Sequence, residues 1–278
     1  MSEKSIFGVH HINCCTNMPW VGGLFDGQAP ARVISHCLLV ESDRGLVLVD
    51  TGIGADDMKR PSRLGVMRFV NRPRLDPGET ALMQVRKLGF NPDDVKNIIM
   101  THLDLDHAGG LPDFPKARVH VMKPEHEAAM RPKDMKERER YRKAHWAHGP
   151  DWVVYDERYD EPWYGFDAIR RLDGLPVGMV YVRLPGHSAG HCGVAVETPG
   201  GWLLLAGDTY YYNEQMTDEP RTPFLVHLFQ RLAHKDFGQA RNTREKLRAT
   251  LIQNKDRLRV VSSHDRKEFE ELSGTRVK

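Results

Sequence analysis

Thr101-His102-Leu103-Asp104-Leu105-Asp106-His107-Ala108-Gly109-Gly110 places four potential metal ligands within six residues, directly after the apolar run Lys96–Met100 and before two glycines suited to a tight turn. Imidazole nitrogens and carboxylate oxygens are good donors to zinc, manganese or iron. No cysteine lies nearby, which argues against a purely structural zinc knuckle. The bland alternative is a polar turn whose aspartates cap a helix.

Three further segments repeat the arrangement of a strand followed closely by a ligand. Leu184-Pro185-Gly186-His187-Ser188-Ala189-Gly190-His191 follows the run Met179–Leu184, Asp208 closes Trp202–Ala206, and His264 closes Leu258–Val261. One histidine after a strand is weak evidence, but four such ends in order are improbable by chance. Upstream, Val33–Val40 and Gly45–Val49 flank the turn-prone Ser42-Asp43-Arg44 and predict a hairpin that leads into Asp50-Thr51-Gly52. Asp76, Pro77 and Glu79 predict a capped helix of about three turns through Leu82, Val85 and Leu88, ending at Gly89. Alternation at Ala117, Val119 and Val121 and the run Val194–Val196 add strands, so the class is α/β.

The ordered set of Asp-Thr-Gly, a His-x-[His/Asp]-x-Asp-His loop, Pro-Gly-His, Gly-Asp and a late strand-end His resembles the metallo-β-lactamase superfamily over about Asp50 to His264. Within it, Asp106-His107-Ala108-Gly109-Gly110 and Asp208-Thr209-Tyr210-Tyr211 look most like the N-acyl homoserine lactonases, which carry a Tyr three residues after the bridging Asp. The resemblance implies an αββα sandwich forming one domain over residues 1–278, with a charged and aromatic insertion at about 123–176. It implies two divalent ions in a cleft at one edge of the sheets. His102, Asp104 and His187 would hold one ion, Asp106, His107 and His264 the other, and Asp208 would bridge them. Asp50 would support the ligand loop, and His191 would have a structural or supporting role.

The implied activity is hydrolysis by a metal-bound hydroxide, opening a lactone or cleaving a carboxylic ester. Tyr211 would stabilise the oxyanion and Asp106 would pass a proton to the leaving alkoxide. Where lactonases have a histidine this chain has Asp104, a harder donor with an extra negative charge. Zinc is the family's usual metal, and Asp104 moves the preference toward manganese or iron.

Other chemistries use the same site: a thioesterase, a phosphodiesterase, a true β-lactamase or, outside hydrolysis, a diiron redox module. Gly186-His187-Ser188-Ala189-Gly190 also matches the Gly-x-Ser-x-Gly elbow of serine hydrolases, with Asp208 and His264 in order. That reading leaves the His102–His107 loop without a purpose. A non-enzymatic scaffold would be expected to have lost some ligand positions, and every one is filled.

Forty basic against 38 acidic residues give a net charge of +2, which selects neither nucleic acid nor a membrane surface as partner. No run approaches a bilayer span, and Met1–Cys15 lacks a signal-peptide pattern. A soluble cytoplasmic protein acting on a small molecule is expected, with a homodimer possible. Cys14, Cys15, Cys37 and Cys192 suggest buried or partly exposed free thiols. The segment Lys123–Trp146 is crowded with charge, its basic run Arg138, Arg140, Arg142 and Lys143 reading as a solvated helix face. Trp146, Trp152, Tyr155, Trp163, Tyr164 and Phe166 predict one aromatic cluster that packs the insertion onto the core. Asn17–Ala31 and Pro220–Phe237, with Phe224, Leu225, Leu228 and Phe229, are candidate pocket walls. The charged tail from Lys267 is expected to fray.

Overall fold

The computed structural model describes residues 5–19, 32–160, 162–169 and 171–277. Strands β1 (Ile6–Asn17), β2 (Val33–Ser42), β3 (Gly45–Val49), β4 (Val95–Ile99), β5 (Arg118–Met122) and β6 (Asp151–Tyr155) form one sheet in that order. The first three are antiparallel, and β3 to β6 run parallel. Strands β7 (Ala168–Ile169), β8 (Met179–Arg183), β9 (Cys192–Thr198), β10 (Gly201–Leu205) and β11 (Leu258–Val261) form the second sheet, in the order β11-β10-β9-β8-β7.

Side-chain alternation sorts these strands into layers. Leu38, Val40, Val47, Val49 and Ile99 of the first sheet meet Tyr181, Val194, Val196, Leu205 and Val261 of the second. Their neighbours Leu39, Leu48, Ile98, Val119 and Val121 point outward beneath α3 (Ala81–Lys87) and α5 (Lys123–Met130). On the far side, Val180, Val182, Ala195, Leu204 and Val260 pack with Leu247 of α8 (Phe237–Gln253). Both faces of each sheet are therefore buried, which is why the strands read as continuous apolar runs. The layering is αββα, as the sequence implied. The remaining helices are α1 (Ala55–Lys59), α2 (Met67–Val70), α4 (Leu105–Ala108), α6 (Met135–Arg140), α7 (Phe224–Ala233) and α9 (Arg266–Ser273). Among the described residues no helix is long and apolar enough to cross a membrane.

Several local expectations change. The helix anticipated from Asp76 is two pieces: Asp76 caps a 3₁₀ turn over Pro77–Glu79, and an extended Thr80 restarts the chain by capping α3 through Met83 N. Glu79 cannot close a capping box because its carboxylate accepts from Thr16 N and Thr16 Oγ1. The segment 123–176 supplies β6 to the first sheet and β7 to the second. Its aromatics are not one cluster: Trp146 and Trp152 pack under the first sheet, Tyr155 lies between the sheets, and Trp163, Tyr164 and Phe166 lie under the second. The tail does not fray at Lys267. Asp265 caps α9 by accepting from Glu268 N, and Phe269 and Val277 are buried. All four cysteines are buried free thiols.

Candidate active site

The strand ends at one edge of the sandwich bring all seven candidate ligands together. Asp104 ends the extended chain after β4 and starts α4, which carries Asp106 and His107 on its single turn. Gly109 and Gly110 have ordinary negative φ, so they are not needed for the turn. They are needed for proximity: a Cβ on Gly109 would lie 2.8 Å from Gly52 O, and one on Gly110 2.7 Å from Thr51 O. This close approach lets Thr51 N and Oγ1 both donate to His107 O, at 2.8 and 2.7 Å.

Each histidine has its Nδ1 tied back and its Nε2 turned inward. His107 Nδ1 donates to Asp50 Oδ2 at 2.8 Å, and His264 Nδ1 to Ile34 O at 2.7 Å. Thr101 Oγ1 gives its proton to Asp50 Oδ2 at 2.7 Å and so accepts from His102 Nδ1 at 2.9 Å. His187 Nδ1 faces His234 Nδ1 at 2.9 Å. Fixing Nδ1 this way selects the tautomer whose Nε2 lone pair is available to a metal.

His102 Nε2, His107 Nε2 and Asp208 Oδ1 are buried atoms that make no hydrogen bond among the described residues. Asp208 Oδ1 lies 3.1 Å from His107 Nε2 and 3.8 Å from His102 Nε2. Orphaned buried lone pairs are costly unless something satisfies them, and three that converge fit a cation. Three groups could each hold one: His102, Asp104 and His187; His102, His107 and Asp208; and Asp106, His107 and His264. The residues present therefore fit a divalent metal, and these groups are the side chains that would hold it.

The charges agree. Burial alone would raise the Asp208 carboxyl, but the four imidazoles His264, His107, His187 and His102 hold it well below the usual carboxylate range. Burial also opposes charge on His107, yet Asp208 and Asp50 outweigh it and push that imidazole well above its ordinary value, so an ion held there would take the place of the Nε2 proton. Tyr211 donates to Asp208 Oδ2 at 2.7 Å. Burial, reinforced by Asp208, drives its phenol well above its ordinary range, so it stays a proton donor at neutral pH.

Several contributors escaped the sequence reading. Glu125, fully buried in the charged segment, accepts from Leu103 N at 3.0 Å, Ser188 Oγ at 2.6 Å and Gly190 N at 2.8 Å, joining the two ligand loops. Ser188 is thereby committed to Glu125, and His264 to Ile34 O and Asp208, so the serine-elbow alternative has no triad. His191 supports from behind: Nδ1 donates to Leu184 O at 2.7 Å, and Nε2 accepts from Asp208 N at 2.9 Å. The basic run is not a uniformly solvated face, because Arg140 turns inward onto Asp104. Of the candidate pocket walls, Phe229 packs edge-on against Tyr211 at 5.2 Å while Phe224 and Leu228 are exposed. Within Asn17–Ala31, residues 20–31 lie outside the described residues. A cavity of about 460 Å³ lined by Phe7, His11, Trp202 and Arg259 sits at the opposite end of β10 and holds none of these ligands.

A buried set of imidazoles and carboxylates at the strand ends of an αββα sandwich defines a metal-dependent enzyme class. Residues 31–253 match the metallo-β-lactamase superfamily, and the chain belongs to that superfamily as a metallo-hydrolase. It is 38% identical over 257 residues to a protein of Mycobacterium tuberculosis named as a probable metallo-hydrolase, covering 92% of this chain and 80% of that one. It is 27% identical over 222 residues to an N-acyl homoserine lactonase of Bacillus thuringiensis, covering 79% of this chain and 81% of the lactonase. Among solved structures, an N-acyl homoserine lactone hydrolase with N-hexanoyl-L-homoserine bound at its catalytic metal centre superposes with a TM-score of 0.67 at 23% identity, covering 99% of this chain and 98% of that one.

Proposed function

We propose that this metallo-hydrolase opens a lactone or cleaves a carboxylic ester of a small molecule on two divalent ions held by His102, Asp104, His187, Asp106, His107 and His264 and shared by Asp208. The observation that carries the reading is the convergence of inward-turned imidazole Nε2 atoms on Asp208, with the Tyr211 hydroxyl 2.7 Å from the same carboxylate. The lactonase relatives favour lactones within the ester class.

Two divalent ions bound there would supply a water acidic enough to attack at neutral pH and a Lewis acid for the carbonyl oxygen. The protein's own groups do the rest. Tyr211, kept protonated by burial, donates to the oxygen on which negative charge grows as the water oxygen bonds to the carbonyl carbon. Asp106, at the start of α4 beside His107 and His264, takes the proton of the attacking water and returns it to the alkoxide as the carbon–oxygen bond breaks. Asp50 and Glu125, both fully buried, hold the ligand loops in register. With Asp104 as the third donor, the first ligand group is two imidazoles and a carboxylate, which makes manganese or iron competitive with zinc.

The test is initial-rate hydrolysis by metal-reconstituted protein of acyl homoserine lactones of several chain lengths, simple lactones, a thioester, a phosphodiester and a β-lactam. Chelator-sensitive lactone opening is expected. Turnover of only a thioester, phosphodiester or β-lactam would reassign the substrate class, and silence across the panel at full metal content would overturn the reading.

A further inference from the structure

Arg140, the last residue of α6, enters the ligand cluster from the segment that looked most solvated in the sequence. Its Nη1 lies 3.0 and 2.8 Å from the two carboxylate oxygens of Asp104 and 2.9 Å from His187 Nε2, and its Nη2 donates to Ala233 O. Only 9% of its side chain is exposed. A guanidinium has donors and no acceptor and keeps its charge, so its contact is a hydrogen bond where His187 Nε2, which also lies 3.1 Å from Asp104 Oδ2, offers a lone pair. That arrangement follows if His187 Nδ1 carries the proton toward His234.

Asp104 and His187 are also two of the three members of the first ligand group. Asp104 has lone pairs for both a guanidinium and a metal ion, but His187 Nε2 has one, which cannot serve both at once. Among the described residues no Lys or Arg side chain occupies the Asp106, His107 and His264 group in this way: His107 Nε2 makes no hydrogen bond, and His264 Nε2 faces Asp208.

We propose that Arg140 is a resident competitor for the first metal site, so that an ion enters the His102–Asp104–His187 group only by displacing the guanidinium, and the two sites load unequally, the Asp106–His107–His264 side first. The pairing also accounts for the carboxylate at position 104. A third imidazole there could not form the charge-assisted pair that Asp104 makes with Arg140. The inference rests on the two-metal reading above, and its test reads metal binding rather than turnover.

Zinc is titrated calorimetrically into metal-stripped full-length protein, and bound metal is counted after dialysis, for wild type, Arg140→Met and Arg140→Gln. Wild type is expected to take one tight equivalent and a second roughly 100-fold weaker, and both variants to bind the second at least about 10-fold more tightly. Circular dichroism checks that the variants fold. Should neither fold, the wild-type isotherm decides alone, because two equivalents binding in one step with equal affinity overturn the proposal. Variants that match wild type, or that lose the second equivalent, overturn it as well. Absence of any tight equivalent in all three proteins removes the two-metal reading itself, a result distinct from equal loading.

Discussion

The Tyr211 phenol donates a 2.7 Å hydrogen bond to Asp208 Oδ2 while its ring lies 4° from parallel with the His264 imidazole, centroids 5.0 Å apart. The stacking fixes where the ring sits and the hydrogen bond fixes where the hydroxyl points. Tyr211→Phe keeps the first and removes the second. The expected result is a fall in kcat of about 10- to 100-fold with little change in KM and unchanged metal content. Steady-state kinetics on whichever substrate the panel identifies, alongside metal counting, checks this, and an unaltered kcat would remove Tyr211 from the chemistry.

Asp50 sits at φ +58, in the left-handed region that aspartate and asparagine tolerate better than other side chains. Its carboxylate accepts from Thr101 N, Thr101 Oγ1 and His107 Nδ1. Asp50→Asn keeps the backbone preference and the size, but one of its two acceptor oxygens becomes a donor. The His107 or Thr101 contact must then fail. Metal affinity is expected to drop about 10- to 100-fold, read by competition with a chromophoric chelator. An affinity equal to wild type would mean that the ligand loop holds its shape without the carboxylate.

How much of this could be read in advance follows from where each signal lies along the chain. His102, Asp104, Asp106, His107, His187, Asp208 and His264 each follow an apolar run within a few residues, so local pattern and ligand chemistry could be read together. Strand β1 has no clear signature in the sequence because His10, His11 and Asn13 interrupt its apolar residues and irregular register breaks its pairing with β2. Glu125, Arg140 and His234 act through contacts spanning 22 to 65 positions for Glu125 and 36 or more for Arg140 and His234. In the sequence they are ordinary charged or polar residues of helices and turns. Composition described the average of that segment, and burial of individual side chains decided their roles.

Gly186 separates two causes of glycine dependence. Its φ is +125 and an added Cβ would lie 2.2 Å from the backbone nitrogen of Ala240 in α8, whereas Gly165, at φ +79, has nothing within 4 Å of the same position. Gly165→Ala meets backbone strain only, on the order of 1 kcal/mol. Gly186→Ala adds a clash with a helix backbone next to a ligand, and a loss of at least about 3 kcal/mol is expected. Denaturant unfolding of both variants gives the comparison, and equal midpoints would mean that α8 moves aside at little cost.

His120 sets one limit of acid stability. It is fully buried between Asn97 and Tyr155, with Nε2 donating to Asn97 Oδ1 at 3.0 Å and Nδ1 accepting from the Tyr155 hydroxyl at 2.9 Å. Burial lowers its pKa from 6.5 to about 4, with Arg118 adding to the effect. Between those values the unfolded chain binds a proton that the folded chain refuses, so stability is complete above pH 6.5 and is lost as the pH falls toward 4. Across the whole window this one group is worth at most about 3 kcal/mol. Asp113 acts in the opposite sense: burial raises its carboxyl from 3.8 to about 6, so the folded state gains stability as the pH falls through that range. His120→Gln removes the first contribution and leaves the second. The unfolding free energy of the variant should therefore decline less steeply than that of wild type between pH 6.5 and 4, measured by urea titration at each pH, and parallel declines would place the acid sensitivity elsewhere.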